Sequence, residues 1–512
     1  MLKENANPFS ERLDRLKRKL FYKRIKATSK CGLATPCGIK YYQDRFVMEG
    51  NNNLLFGTVN GSLVGMCLKT EIVNRNLNTL VLSGSTYKGW SHYTLPNLLA
   101  GHSSAVIVGD PKFMDNLSDV LSKGFNVHFI DFNSSDASGS KYNPFTKLHK
   151  PFPNPHYPYH YMKYLAEMVV QIFHTEDKNN PFNIEWTYKS ILEYIFLYVG
   201  LSDKLTDKER NFQTVKAVIA DLMEGDKKAL GKYLVKSKED NRAEDILENL
   251  IIESDDRLFR TVLNTILIEL HPLINWSFFE ENNAASPMNI TVEKLVNEKT
   301  YLFISQPLSE TSEKLTAFFL SVLLKELYLY GESDWKYSNQ ALANHVHFYL
   351  NRFVDYHIPY FTMYLATCRR YGIGISIITE LWRLKRAYEK NEHLTILENV
   401  DTNLFLSTGR ENADAEYIQE FIKYPVNPAT GKEIPIDKHG GYAGKIKKWE
   451  WLIPHYATMN IDELNKLFSE DKAIVAVRDC YAIVCDLLKS DDYRSSETKL
   501  GMIIDEGRNL AE

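Results

Sequence analysis

The 512-residue sequence predicts an α/β protein with a mainly parallel sheet that is interrupted by an all-α insertion. Short apolar runs alternate with single helical segments over residues 79–131, which is typical of βαβ units. Residues 146–285 then show only helical patterns. The alternation returns at residue 300 and continues to residue 408. The simplest interpretation is one α/β domain into which a helical domain has been inserted.

The first part of the α/β domain contains three predicted strands. They are TLVLSG (79–84), AVIVGD (105–110) and NVHFID (126–131). The turn-rich STYKGWS and a helix through PNLLAG follow the first strand, and a helix near 112–123 follows the second. In the insertion, helical periodicity predicts helices at 161–174, 185–200, 212–223, 241–253 and 256–270.

The second part of the domain repeats the alternation. Strands are predicted at 300–307, 347–351, 374–379 and 403–408, with helices at 309–329 and 359–371. AIVAVRD (473–479) and YAIVCDLL (481–488) predict a C-terminal hairpin on the same sheet. The predicted organisation is a basic N-terminal segment (1–52), the first part of the domain (53–145), the all-α insertion (146–290), the second part with the hairpin (291–490) and a tail (491–512).

Composition excludes several classes of protein. The chain has 61 Lys+Arg and 65 Asp+Glu, and its formal net charge of −4 excludes a uniformly basic nucleic-acid binder. Its 6 Cys include no C-x-x-C pair, so they predict reduced thiols rather than metal ligands. The longest apolar stretches, such as AFFLSVLL at 317–324, fall short of the roughly 18–20 residues that span a bilayer. We therefore expect a soluble, cytoplasmic protein.

The N-terminal segment is locally basic. Leucines at near-helical spacing accompany the charges, so a basic amphipathic helix is predicted. It either packs its leucines on the body of the protein or binds anionic lipid or nucleic acid. The residues of this basic patch are Arg12, Arg15, Lys17, Arg18, Lys19, Lys23, Arg24 and Lys26.

The first βα turn is where a parallel sheet commonly binds phosphate, because backbone N–H groups and a helix N-terminus meet there. The turn fits the P-loop template G-x-x-x-x-G-K-[ST] at both glycines and at the final serine, but Trp90 stands at the lysine position. An indole cannot supply the charge that a lysine gives to phosphates, and Lys88 is the nearest alternative cation. The candidate nucleotide-binding residues are Gly84, Ser85, Thr86, Lys88, Gly89, Trp90 and Ser91.

Long segments in the same order resemble the TraG-type coupling proteins of type IV secretion and conjugation, from about residue 53 to residue 490. This resemblance implies a RecA-like P-loop ATPase core, a helical insertion that recognises substrate or relaxosome proteins, and hexameric rings with nucleotide at the subunit interface. The segments are Asp110-Pro111-Lys112, FIDFNSSDASGSKYNPF, PFNIEWTYKSILEYIFLYV, NFQTV, KTYLFISQP, IPYFTMYLATCRRYGIGISII, ILENVDTNLFLSTGRENADAEYIQEFI and DELNKLFSEDKAIVAVRDCYAIV.

The chain departs from this family at the positions that handle nucleotide. The family's Walker B Asp-Glu corresponds to Asn351 and Arg352, and its sensor glutamine corresponds to Thr379. These changes, with Trp90, remove phosphate charge compensation, metal orientation and water activation. Arg369 and Arg370 keep the family's basic turn, where they either act in trans on a neighbouring subunit or interact with the C-terminal end of a helix.

Three functions are open from the sequence. The first is a coupling-protein homologue without ATPase activity or cofactor, a pseudo-ATPase that docks substrates or acts as a scaffold for conjugation or type IV secretion proteins, for DNA, for an active paralogue or within a homo-oligomeric ring. The second is an active DNA-translocating ATPase that uses ATP and Mg²⁺ with Lys88 and an acid such as Asp355 or Glu380. The third is a membrane-surface adaptor that binds the inner face of the cell membrane through residues 12–30, where a relative leaves its transmembrane helices.

Histidines supply no predicted metal site. His345 and His347 flank one residue of a predicted strand without a third ligand nearby in sequence. His156 and His160 have the spacing of half a helical zinc motif, but the glutamate of that motif is missing. Packing and hydrogen bonding are the predicted roles of these side chains.

Overall fold

The structure is a computed structural model of the whole chain. It describes residues 33–488 apart from residues 35, 49–52, 70–74, 102, 111, 113–124, 135–139, 146–156, 175–183, 226, 236–240, 254–255, 280–288, 339–341, 389–390, 410–411, 423, 427–454 and 458.

The described strands and helices alternate through much of the chain. The strands are β1 Asn53–Val59, β2 Ser62–Cys67, β3 Thr79–Leu82, β4 Ser104–Gly109, β5 Asn126–Ile130, β6 Thr300–Ser305, β7 Val346–Asn351, β8 Ile373–Thr379, β9 Thr402–Phe405, β10 Tyr424–Val426, β11 His455–Ala457, β12 Lys472–Val477 and β13 Ile483–Asp486. The α-helices are α1 Pro36–Phe46, α2 Thr86–Gly89, α3 Leu95–Ala100, α4 Tyr157–Phe173, α5 Ile184–Leu201, α6 Phe212–Glu224, α7 Arg242–Glu253, α8 Asp256–Glu269, α9 His271–Asn275, α10 Val292–Asn297, α11 Glu310–Ser338, α12 Phe361–Thr367, α13 Leu381–Ala387, α14 Glu392–Glu398, α15 Asn412–Ile422 and α16 Ile461–Ser469.

The chain divides into two compact units, and the predicted domain boundaries stay predictions. The first unit comprises Met1–His102 and Ile375–Glu512, and the second comprises Ser103–Gly374. In the first unit the strand order is β2-β1-β13-β12-β9-β3-β8. β3 is parallel to β8 and β9, with Leu82 opposite Thr379 and Phe405, whereas the other pairs are antiparallel. The ends of these three parallel strands are therefore level, so the residues that follow them are neighbours.

The second unit contains the parallel strands β7-β4-β6-β5 in that order. Every residue of β4, β6 and β7 is buried, which is the pattern of parallel strands covered on both faces. Val108 of β4 lies opposite Leu350 of β7, which places Asn351 beside the end of β4.

The predicted helical insertion corresponds to helices α4 to α9. The C-terminal end of α5 is capped by a buried arginine. The buried Arg210 guanidinium donates hydrogen bonds to the carbonyls of Val199, Gly200, Ser202 and Leu205, at 2.6–3.2 Å. These carbonyls belong to the last turn of α5 and the residues after it, where carbonyls otherwise lack helical partners. The single basic side chain thus caps the helix from inside the unit.

Two helices differ most from their predicted bounds. α11 covers Glu310–Ser338 and extends beyond the predicted end at residue 329. The helix predicted over 359–371 begins at Phe361, because Tyr360 has a left-handed backbone with φ of 58°. It ends at Thr367 and continues as a 3₁₀ helix, Cys368–Tyr371.

Candidate functional site

The segment after β3 is helical from Thr86 to Thr94, so the turn predicted for STYKGWS is wrong. Only Ser83, Gly84 and the extended Ser85 separate β3 from α2, which begins at Thr86. The Ser83 hydroxyl donates to the Ser85 carbonyl at 2.6 Å, and the Ser83 amide donates to the Thr379 carbonyl at 3.2 Å. These bonds fix the conformation of the connection, and its three residues are too few to form an open loop around a phosphate.

Two of the backbone amides that a P-loop would offer to phosphate are hydrogen-bonded inside this helix. The Gly89 amide donates to the Ser85 carbonyl at 3.3 Å, and the Trp90 amide donates to the carbonyls of Thr86 and Tyr87. Trp90–Thr94 then forms a π-helical turn that leads into α3. Because phosphate binding in a P-loop depends on free amides of this segment, the glycine spacing does not produce that geometry here.

The side chains at the lysine and serine positions of the template, Trp90 and Ser91, are also unavailable to a nucleotide. Trp90 is buried at 3% exposure. Ser91, at the position that would bind Mg²⁺, donates its hydroxyl proton to the Tyr87 carbonyl at 2.7 Å. Lys88, the alternative cation, is half-buried on α2. None of these three side chains is arranged as its counterpart in the template would be.

Acidic and hydroxyl groups surround the first glycine of the motif. A methyl group placed on Gly84 would lie 3.7 Å from Glu380 Oε1 and 3.3 Å from Ser407 Oγ. The Gly84 amide donates to Ser407 Oγ at 2.7 Å. A phosphate at this glycine would therefore meet a carboxylate, and the amide that could bind it already has a partner.

A buried carboxylate supports the same turn. Asp414 is fully buried and accepts a hydrogen bond from the Leu381 amide at 3.0 Å, at the first residue of α13. Gly409, at φ 69°, approaches so closely that a methyl group on it would lie 2.3 Å from Asp414 Oδ2. No site role was predicted for Ser407, Gly409 or Asp414, although they follow β9 and could have been found from the rule that ligands bind at the carboxyl ends of parallel strands.

The Walker B positions lie in the second unit and are tied to the protein itself. Asn351 is 1% exposed, and its amide group donates to the Val108 carbonyl at 2.9 Å. Arg352 adopts a left-handed backbone with φ of 48° and forms an ion pair with Asp355 at 2.6 Å. Asp355, the acid that an active site could use instead, is therefore bound in an ion pair. This arrangement supplies an amide and an ion pair where a metal-binding carboxylate and a general base are needed.

The remaining predicted site residues have ordinary structural contacts. Thr379 is buried at the end of β8, and its hydroxyl donates to the Glu380 carbonyl at 3.4 Å. Arg369 and Arg370 lie in the 3₁₀ helix after α12, and the Arg370 guanidinium lies 5.7 Å from the ring centroid of Tyr371. A role in trans for these arginines stays a prediction. The basic patch of residues 12–26 lies outside the described residues, as does His156.

The two histidines contact each other, with His347 buried and His345 half-buried. His345 Nε2 and His347 Nδ1 are 3.2 Å apart, and burial lowers the pKa of His345 to about 4. Within the described ranges, no group of three His, Cys, Asp or Glu side chains could hold a metal ion. In the same part of the chain, no helix is long and apolar enough to cross a bilayer.

Comparisons with known proteins identify the family and the fold. The sequence model described as "Type IV secretory system Conjugative DNA transfer" matches residues 57–424. The chain is similar to the bacterial conjugative coupling protein TrwBdeltaN70 in its unbound monoclinic form, with 12% identity over 89% of this chain and 92% of that chain and a TM-score of 0.52. It is also similar to plasmid coupling protein TrwB in complex with ADP and Mg²⁺, with 13% identity, coverage of 88% and 92%, and a TM-score of 0.51.

At these identities the structural likeness shows the fold, and the predicted RecA-like P-loop NTPase core is confirmed. A comparison with curated proteins found no match.

Proposed function

Because this chain belongs to the type IV secretory system conjugative DNA transfer family, we propose that it is a coupling-protein homologue without ATPase activity. It serves a conjugation or type IV secretion system as a substrate-docking or scaffold subunit. Its partners are the other proteins of that system, including an active coupling ATPase, with which it assembles at the cytoplasmic face of the membrane. The bound cargo is DNA or protein.

One observation carries this proposal, namely the helix that replaces the phosphate-binding loop. The amides of Gly89 and Trp90 are hydrogen-bonded within that helix, and the Glu380 carboxylate faces the first glycine. Losing amide donors and gaining a nearby negative charge both disfavour a nucleotide phosphate. In the second unit, Arg352 further replaces the expected base with a cation.

ATP binding and hydrolysis test the loss of activity directly. The purified full-length protein should show no change in Tm with Mg-ADP or a non-hydrolysable ATP analogue, and no phosphate release with or without single-stranded DNA. An active coupling ATPase run in parallel verifies the assay. Turnover that Lys88→Ala abolishes, while the exposed Lys466→Ala retains it, would overturn the proposal in favour of an ATPase that uses Lys88.

Complementation tests whether the protein works as a docking or scaffold subunit. In a strain that lacks this chain, the parent protein and the variants Lys88→Ala and Asn351→Ala should restore transfer equally, because neither side chain serves nucleotide chemistry. A deletion of the helical insertion, residues 146–290, should fail to restore transfer. Loss of transfer with Lys88→Ala at normal protein levels would contradict a non-catalytic role.

A membrane-surface role is a second candidate, and the cluster of basic residues at 12–30 favours it. Electrostatic attachment predicts co-sedimentation with phosphatidylserine vesicles that decreases as salt rises from 50 to about 300 mM and is lost when residues 1–30 are deleted. Binding that survives the deletion or is unaffected by salt would contradict this role.

A further inference from the structure

A cavity of about 430 Å³ lies in the second unit between α4 and α11. Its size is within the range of small-molecule sites. Aromatic and charged side chains share the lining, which is unlike the apolar core around it. The lining residues are Tyr157, His160, Tyr161, Lys163, Tyr164, Glu167, Lys325, Leu329 and Glu332.

The carboxylates of the cavity already have hydrogen-bond donors. Glu332 accepts hydrogen bonds from Tyr157 Oη at 2.8 Å and from Tyr371 Oη at 3.1 Å. Glu167 accepts a hydrogen bond from the Tyr360 hydroxyl and lies 3.5 Å from Lys189 Nζ. Since both carboxylates already accept hydrogen bonds and Glu167 is also ion-paired, neither calls for a cationic ligand.

Lys325, unlike the two carboxylates of the lining, forms no direct polar contact with the described residues. Among the described residues its ammonium group has no ion pair or hydrogen bond, and it lies 5.4 Å from the ring centroid of Tyr164. Burial lowers the pKa of this lysine, and the charge of Glu332 opposes that effect. A half-buried cation that forms no direct ion pair is energetically costly, so an anion placed against it would be stabilised.

The tyrosines give the rest of the cavity an aromatic character. Tyr161 Oη donates to the buried Glu326 at 2.5 Å, and Tyr164 Oη donates to the Ser321 carbonyl at 3.0 Å. Their hydroxyls are therefore occupied, and what they offer to a ligand is ring surface. Ring surface favours a flat, apolar group through stacking and burial.

We propose that this cavity binds a monocarboxylate that carries an aromatic ring, with the carboxylate against Lys325 and the ring among the tyrosines. A single compensating cation inside the lining fits one negative charge, since Lys163 is exposed to solvent and two carboxylates lie nearby. A phosphate dianion carries two negative charges, so a single lysine would leave the second one without a cation. The carboxylate belongs either to a free small molecule or to the C-terminal residue of a peptide, and this site is independent of the proposed function.

Calorimetry on the full chain with matched probes tests the proposal. N-acetyl-phenylalanine should bind at least tenfold more tightly than its neutral isostere N-acetyl-phenylalaninamide. Phenyl phosphate should bind at least tenfold more weakly than the acid. Equal binding of acid and amide, tighter binding of phenyl phosphate, or no binding of the acid at millimolar concentration would overturn the proposal.

Variants of the two lysines locate the carboxylate. Lys325→Met should weaken binding of the acid at least tenfold, Lys325→Arg should retain most of it, and Lys163→Met at the exposed edge should change it less than threefold. Unchanged binding by a folded Lys325→Met protein, verified by circular dichroism, would also overturn the proposal. A tetrapeptide with a C-terminal phenylalanine carboxylate distinguishes the two sources: tighter binding than the single residue indicates a chain terminus, and equal or weaker binding indicates a free small molecule.

Discussion

Glu326 is a carboxylic acid buried inside the second unit, on α11, and 5% of its surface is exposed. Burial raises its pKa to about 8, and the hydrogen bond from Tyr161 opposes that effect. The free energy of ionising a carboxyl group in an apolar interior accounts for a shift of this direction. At neutral pH the group is therefore protonated in the folded protein, and the stability of the unit depends on pH.

The sign of that dependence follows from comparing folded and unfolded chains. An exposed glutamate in the unfolded chain has a pKa near 4.3, so between about pH 5 and pH 8 the unfolded chain has lost a proton that the folded protein keeps. Raising the pH through this window should therefore lower the free energy of unfolding, by at most about 1.4 kcal/mol per pH unit for this one group. Urea denaturation at several pH values measures the slope.

The variant Glu326→Gln removes the titrating group and keeps its shape, so its slope between pH 5 and pH 8 should be smaller than that of the parent protein. The exposed Glu416→Gln serves as the matched control and should leave the slope unchanged. Parallel pH profiles for the parent and Glu326→Gln would show that this carboxyl group is ionised in the folded state.

Arg352 has a structural role that its position in the family pattern does not indicate. Its guanidinium lies 2.6 Å from Asp355, whose side chain is 9% exposed. Burial and the nearby charge of Asp355 raise the pKa of Glu313, so two acids depend on one cation. Arg352→Gln should lower the free energy of unfolding by about 1 kcal/mol, discounted because the arginine is 40% exposed.

A double-mutant cycle with Asp355→Asn isolates this ion pair. We expect a coupling free energy of about 1 kcal/mol from urea denaturation, because replacing both partners leaves no uncompensated charge. Additive effects of the two substitutions would contradict a stabilising interaction between these side chains.

At the scale of elements, the segment 84–91 shows what a glycine pattern can and cannot predict. The two glycines and the serine match a loop template, yet Gly89 is helical, with φ of −60° and ψ of −40°. Glycine accepts many backbone conformations, so its spacing alone does not determine which one the surrounding contacts select. At Asn60-Gly61, by contrast, the glycine does occupy the turn that its sequence favours. This dipeptide is a known hairpin signal, and it joins β1 and β2, two strands that were not predicted from apolar runs.

Gly409 and Gly61 form a matched pair for testing the turn that supports the candidate site. Both have positive φ, 69° and 73°, but a methyl group on Gly61 meets nothing within 4 Å, whereas one on Gly409 would lie 2.3 Å from Asp414 Oδ2. Gly61→Ala should cost about 1–2 kcal/mol for backbone strain alone. Gly409→Ala should cost at least about 1 kcal/mol more, because the buried Asp414 must move from the Leu381 amide.

Urea denaturation of the two variants makes the comparison, with circular dichroism to verify folding. Equal decreases in the free energy of unfolding for Gly409→Ala and Gly61→Ala would show that the contact with Asp414 adds no further cost. In that case this turn would not constrain the residues after β8 and β9.

At the scale of the whole molecule, the fold was predictable because buried parallel strands form continuous apolar runs. β4, β6 and β7 each correspond to such a run, and helical periodicity indicates the insertion between β5 and β6. For the candidate site, the sequence predicts only which positions of the family pattern are replaced, and not the contacts that the new residues make. Contacts such as Gly84 with Glu380 join residues almost 300 positions apart, so only the packed structure places them together.

Each unit carries a nucleotide-handling motif that differs from its template, and this predicts that reverting the replaced residues will not restore nucleotide binding. The triple variant Trp90→Lys, Asn351→Asp, Arg352→Glu regains the charges of the family pattern. We nevertheless expect no change in Tm with Mg-ADP and no hydrolysis of Mg-ATP, because the amides of Gly89 and Trp90 stay within a helix and Glu380 still faces Gly84. Circular dichroism verifies that the variant is folded. A saturable, Mg²⁺-dependent increase in Tm would instead show that the lost charges, and not the helical backbone, are what prevents nucleotide binding.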